Sequence, residues 1–128
     1  MRLLLDTHIL LWAAAKKALV PEAAARMIDD VQNELLFSSA SIWEIAIKRR
    51  LNRNAPMVDA HAFRQNLLAN GYQELSINGL HSAQVQDLPN LHKDPFDRIM
   101  IAQALVEGLL LLTSDRMVAR YPGPIQKV

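Results

Sequence analysis

The sequence contains no cysteine. That excludes disulfides, thiolate zinc sites, iron–sulfur clusters and cysteine nucleophiles, and a chain without disulfides suits the cytosol. Glycine is scarce. The four glycines, at positions 71, 79, 108 and 123, make no phosphate-cradling loop, so a P-loop enzyme is excluded. An excess of one charge is also missing. The 14 Lys and Arg against 13 Asp and Glu leave a formal net charge of +1, whereas a nucleic-acid binder usually carries a clear basic excess. Any basic patch must therefore be local. Long hydrophobic runs are absent too. The opening run stops at Leu5, before Asp6 and His8, and is too short for a secretion signal. The run at 109–112 is far too short to span a bilayer. We expect a soluble, cytoplasmic protein with no membrane association.

What is present is a chain of 128 residues, 51% hydrophobic, enough for one domain (1–128) with a sizeable core. An aliphatic strand is expected at Arg2–Leu5, followed by a short helix at 9–15. Pro21 and Glu22 open a second helix, whose period is kept by Val20, Ala24, Met27, Ile28 and Val31. A strand follows at Glu34–Ser38. Ser41 should cap a helix to about Leu51, with Glu44 at the spacing of a capping box. The polar stretch 52–56 ends it. Asp59 caps another helix to about Ala69, stopped by Asn70-Gly71. A strand at 72–77, a short helix from Asn78 and a loop around Pro89-Asn90 lead to Asp94-Pro95, a strong helix start. That helix runs to Gly108. A strand at 109–113, a short helix at 115–120, a turn at 121–124 and an edge strand at 125–128 complete the chain. Strands alternating with helices, and apolar on both faces, give an α/β fold with a mainly parallel sheet between helical layers.

Four acids stand out. Asp6 and Asp115 each follow an aliphatic strand, where ligands bind in open α/β sheets; capping of the next helix is the simpler role. Glu44 sits in the apolar stretch Ile42-Trp43-Glu44-Ile45-Ala46-Ile47, on a face with Ala40, Ile47 and Leu51. A glutamate rarely goes inside unpartnered, and the capping box is the alternative. Asp97 lies at the start of a face continued by Ile101, Ala104 and Leu105, in a helix that Asp94 already caps. Its alternative role is to complement the helix dipole. Carboxylates crowded into one crevice repel unless a cation compensates them. A hard divalent cation takes such oxygen ligands and can drive phosphodiester hydrolysis.

Four segments resemble the PIN-domain ribonucleases, in particular the VapC-like toxins of bacterial and archaeal toxin–antitoxin pairs. They are Leu5-Asp6-Thr7-His8, Ser41-Ile42-Trp43-Glu44-Ile45, His92-Lys93-Asp94-Pro95-Phe96-Asp97-Arg98 leading to Ile101-Ala102-Gln103-Ala104, and Leu112-Thr113-Ser114-Asp115. The resemblance implies a small α/β/α sandwich and a site in which Asp6, Glu44, Asp97 and Asp115 hold Mg²⁺ or Mn²⁺. Thr7, Thr113 and Ser114 would support it with hydroxyls. It further implies an endoribonuclease acting on RNA, a homodimer and a cognate antitoxin protein as partner. Local basic clusters at Lys48-Arg49-Arg50 with Arg53, and at Lys93, Arg98 and Arg116, would meet the RNA, Arg98 or Arg116 steadying the scissile phosphate; a solvated helix face is the alternative role for these clusters, Lys48–Arg50 above all.

Two rivals remain open. A haloacid-dehalogenase-like phosphatase needs a second Asp two residues after the first, and position 8 is His. A non-catalytic RNA- or protein-binding module of the same fold would gain from fewer acids facing phosphates. A receiver domain lacks its acidic pair and late lysine here. The histidines at 8, 61, 81 and 92 accompany no nucleophile elbow; for His8 a surface or supporting role is expected.

Overall fold

The computed structural model describes residues 1–51 and 58–128. Five strands form one sheet: β1 (Arg2–Leu5), β2 (Glu34–Ser38), β3 (Gln73–Leu75), β4 (Leu110–Thr113) and β5 (Ile125–Lys127). Their order is β3-β2-β1-β4-β5, and every neighbouring pair is parallel. The α-helices among the described residues are α1 (Thr7–Ala15), α2 (Glu22–Asp29), α3 (Ser39–Leu51), α4 (Ala60–Ala69), α5 (Gly79–Gln84), α6 (Pro95–Glu107) and α7 (Arg116–Ala119).

The aliphatic strands explain the layering. Leu3, Leu4 and Leu5 are all fully buried, and successive side chains of a strand point to opposite faces. Leu3 and Leu5 pack with Ile9, Leu10, Phe37, Ile45, Phe63 and Leu67, from α1, α3, α4 and β2. Leu4 packs instead with Leu36, Met100, Ile101, Ala104 and Val118, from β2, α6 and α7. The result is an α/β/α sandwich with a core on each face of the sheet. Each buried leucine contributes about 1.5–3 kcal/mol, and truncating Leu4 to alanine would cost about 2–5 kcal/mol.

Most elements fall where the sequence puts them; the differences have local causes. α1 begins at Thr7 rather than residue 9, because the Asp6 carboxylate accepts the Ile9 N–H and starts the helix early. Pro21 takes the cap position and α2 stops at Asp29, leaving Val31 92% exposed instead of on a buried face. α3 starts at Ser39, with the Ser38 hydroxyl accepting the Ala40 N–H. Ser41 thus lies inside the first turn, and its hydroxyl pairs with Thr7 and Met100, so the expected capping box with Glu44 is not made. A capping box does form at α5, between Asn78 and His81. The expected stop at 52–56, and Arg53, lie outside the described residues. Asp59 and Asp94 cap α4 and α6 as expected, and Gly108 ends α6 in the left-handed conformation at φ 68°. β3 is shorter than expected, and an Arg64–Glu74 ion pair with two contacts at 2.7 and 2.9 Å ties it to α4. Among the described residues, no helix is long and apolar enough to cross a membrane.

The topology positions the site. The chain steps outward from β1 to β2 and β3, then returns to the other side of β1 for β4 and β5. The reversal leaves a crevice outside the carboxyl ends of β1 and β4, where ligands bind in such sheets. Asp6 directly follows β1, and Asp115 comes two residues after β4.

Candidate metal centre

Asp6 is held from three sides. Its Oδ1 accepts the Ile9 N–H at 3.0 Å; its Oδ2 accepts the Thr113 hydroxyl at 2.6 Å and the Ser114 N–H at 3.3 Å. The residue is only 4% exposed. Burial pushes its carboxyl above the usual range, opposed by the Thr113 hydroxyl, the Ile9 N–H, the His8 charge and the Ser114 N–H.

Asp115 caps α7, its Oδ1 accepting the Met117 N–H at 2.7 Å, and its own N–H donates to Thr113 Oγ1 at 3.0 Å. Thr113 therefore couples the first strand end to the fourth. The capping role weighed for Asp6 and Asp115 from the sequence is real in both.

Glu44 is 5% exposed on α3. Its Oε2 pairs with Lys48 one turn on. Its Oε1 is buried and has no hydrogen-bond partner among the described residues. Buried polar atoms are almost always satisfied, and a carboxylate oxygen such as this one has the chemistry of a ligand to a hard cation. Thr7, His8, Leu11, Ile45, Lys48 and Val58 line a pocket of about 80 Å³ beside Glu44. The Thr7–Ser41 hydroxyl contact, at 2.8 Å, draws the start of α1 against the start of α3.

Asp97 stands in the first turn of α6. Its Oδ2 lies 2.7 Å from His92 Nε2. Burial raises its carboxyl to about 6; His92 opposes that shift, while the charges of Asp94 and Glu44 add to it. The cap Asp94 accepts the Phe96 and Asp97 N–H groups through one oxygen, Oδ1. His92, Asp94 and Asp97 each offer a ligand atom, all within 4.8 Å of one another. Among the described residues this is the tightest grouping of metal-ligating side chains. It includes only Asp97 of the four acids singled out from the sequence.

The sequence reading passed over His92 as a ligand and treated Asp94 as a cap alone. The spacing His92-x-Asp94-x-x-Asp97 was the available signal: it sets a histidine just outside a helix whose cap and first turn are acidic. The donor set is mostly oxygen with one imidazole nitrogen, which suits Mg²⁺ or Mn²⁺.

The PIN domain model matches residues 3–124. The chain belongs to the PIN domain family. This PIN domain is 29% identical over 125 residues to Ribonuclease VapC22 of Mycobacterium tuberculosis, covering 95% of both chains. Its fold is that of VapBC2 from Rickettsia felis bound to a DNA fragment from their promoter: TM-score 0.74, 15% identity, 99% of this chain and 98% of that one. It also matches the fold of DNA-bound VapBC from Salmonella typhimurium, with TM-score 0.70, 18% identity and the same coverage.

Several expectations about neighbouring side chains need correction within this PIN domain. Ser114 reaches Asp6 through its backbone N–H rather than its hydroxyl. The Thr7 hydroxyl is engaged with Ser41. Arg98 is committed to structure: its guanidinium donates to the carbonyls of Pro89, His92 and Val85 and to the Tyr121 hydroxyl, at 3.0–3.4 Å. It holds the segment carrying His92 and is not presented to a phosphate. Arg116 is exposed, and His8 is exposed on α1 with its ring 6.0 Å from Trp12. A cavity of about 570 Å³ lies toward the amino ends of the strands near Leu35 and Tyr72 and is lined by none of these four acids.

Proposed function

We propose that this chain is a divalent-metal-dependent endoribonuclease, the toxin of a toxin–antitoxin pair. The carrying observation is the buried Oε1 of Glu44, without a hydrogen-bond partner among the described residues, together with the ligand atoms of His92, Asp94 and Asp97 lying within 4.8 Å of one another. Lys48 satisfies only one oxygen of Glu44, and Asp94 and Asp97 share a single imidazole neighbour, so the carboxylate oxygens outnumber the cations beside them, and the donors present fit a divalent ion. Membership of the PIN family and the likeness to a relative named a ribonuclease support RNA as substrate. The matching fold of toxin–antitoxin complexes supports an antitoxin partner, and the resemblance of the motifs supports a homodimer.

Glu44, Asp97 and Asp6 would hold the ion, with Asp115 completing its shell or holding a second. His92 and the second oxygen of Asp94 would extend the donor set. A bound cation lowers the pKa of a coordinated water and offsets charge on the phosphate. The chain's own residues orient the ligands. Thr113 and Ser114 fix the Asp6 carboxylate, Asp94 fixes the first turn carrying Asp97, and Lys48 holds one oxygen of Glu44 so that the other faces inward. Among the described residues no side chain stands as an activated nucleophile, so water would be the attacking group and the products would carry 5′-phosphate and 3′-hydroxyl ends. Titration calorimetry tests the site: Mn²⁺ binding should weaken strongly in both Asp6→Asn and Asp97→Asn. Unchanged binding in both variants would refute it.

A further inference from the structure

Trp43 is 58% exposed, unusual for the largest apolar side chain. It directly precedes Glu44, and Phe96 directly precedes Asp97. The two rings meet edge to face, with centroids 5.1 Å apart and planes at 79°. Consecutive helical residues point about 100° apart, so each aromatic sits beside its carboxylate, on the rim of the centre rather than in it. Phe96 is half-buried, and its edge-to-face contact helps fix the orientation of the exposed Trp43 ring.

We propose that the Trp43–Phe96 pair is a stacking platform for an unpaired base of single-stranded RNA, adjacent to the scissile phosphate. This rests on the ribonuclease reading above. Proteins that hold single strands combine cations along the backbone with aromatic rings for the bases. Here the cations lie on the same helix. Lys48, Arg49 and Arg50 are exposed in the last turns of α3. Arg50, seven residues from Trp43, shares its face roughly 10 Å along the axis. A backbone whose base rests on Trp43 meets that charge, while the neighbouring phosphate reaches the acids. Charge also argues against a second copy as the occupant. A twofold contact centred here would bring the same cations together, whereas an RNA backbone neutralises them. Bases in a duplex are already stacked and cannot use the platform, which makes the site selective for single strands, loops or ends.

The test uses a uridine octamer with Ca²⁺ present, on the intact protein. In Trp12→Phe the only remaining tryptophan is Trp43. Its emission should fall as the octamer binds and should not change with a duplex of equal length. Trp43→Ala should weaken octamer binding about tenfold, and Trp43→Phe by less than about threefold, since stacking needs a ring but not an indole. Mn²⁺ affinity should stay unchanged in both. Absence of quenching, or unchanged octamer affinity in Trp43→Ala, overturns the platform. So does a loss of affinity that tracks dissociation of a dimer in light scattering, because the face would then be a protein contact. The nuclease reading fails separately: quenching and tenfold weakening as expected, but no cleavage by the unaltered protein with Mn²⁺, would leave the platform standing and remove the chemistry.

Discussion

The Thr113 hydroxyl donates to Asp6 Oδ2 at 2.6 Å across 107 residues of sequence, while its oxygen accepts the Asp115 N–H at 3.0 Å. One fully buried hydroxyl thus sets the position of two acids on adjacent strand ends. Thr113→Val keeps the shape and removes both bonds. Stranding buried groups in this way should cost about 1–3 kcal/mol in urea denaturation, and Mn²⁺ binding should weaken. Thr113→Ser should restore most of both. Full stability in the valine variant would mean the hydroxyl is dispensable.

The acids also set a pH dependence for the metal-free protein. Asp97 titrates near 6 when folded, against about 4 in an unfolded chain. Between those values the folded state binds more protons than the unfolded state. Stability attributable to this group is therefore present below pH 4 and is lost as the pH rises to 6. With chelator present, Asp97→Asn should melt at or above the wild-type temperature at pH 7. The stability difference between the two proteins should move by about 2–3 kcal/mol between pH 4 and pH 7. A large drop in melting temperature for Asp97→Asn at pH 7 would assign the side chain a structural ion-pair role instead.

Much of this was legible beforehand, and the failures have physical reasons. Leu3, Leu4 and Leu5 announce a strand buried on both faces, and Asp94-Pro95 with Gly108 brackets α6 by backbone chemistry alone. Local rules decide such elements. Ser41 went astray because its hydroxyl has partners 34 and 59 residues away. Arg98 was offered for a phosphate because sequence shows a cation beside acids and not the four oxygens that already hold it. The Asp6–Thr113 bond and the His92 grouping are likewise long-range or loop-dependent, beyond the reach of periodicity.

Arg98 yields its own prediction. Arg98→Met should speed hydrogen exchange through residues 85–92 and weaken metal binding by loosening His92. The salt dependence of RNA binding should keep its slope. A phosphate-binding arginine would reduce that slope by about one unit, and seeing that reduction would restore the role the structure removes.

His92 should tune metal choice. An imidazole nitrogen favours Mn²⁺ over the harder Mg²⁺. His92→Asn should lower the ratio of Mn²⁺ to Mg²⁺ affinity about tenfold in calorimetry. An unchanged ratio would limit His92 to orienting Asp97 through their 2.7 Å contact.

End-group analysis of products from a susceptible RNA tests the central claim most directly. The account predicts 5′-phosphate and 3′-hydroxyl ends with Mg²⁺ or Mn²⁺, and no cleavage with chelator or in Asp6→Asn. A 2′,3′-cyclic phosphate, or cleavage that survives both chelation and Asp6→Asn, would contradict it.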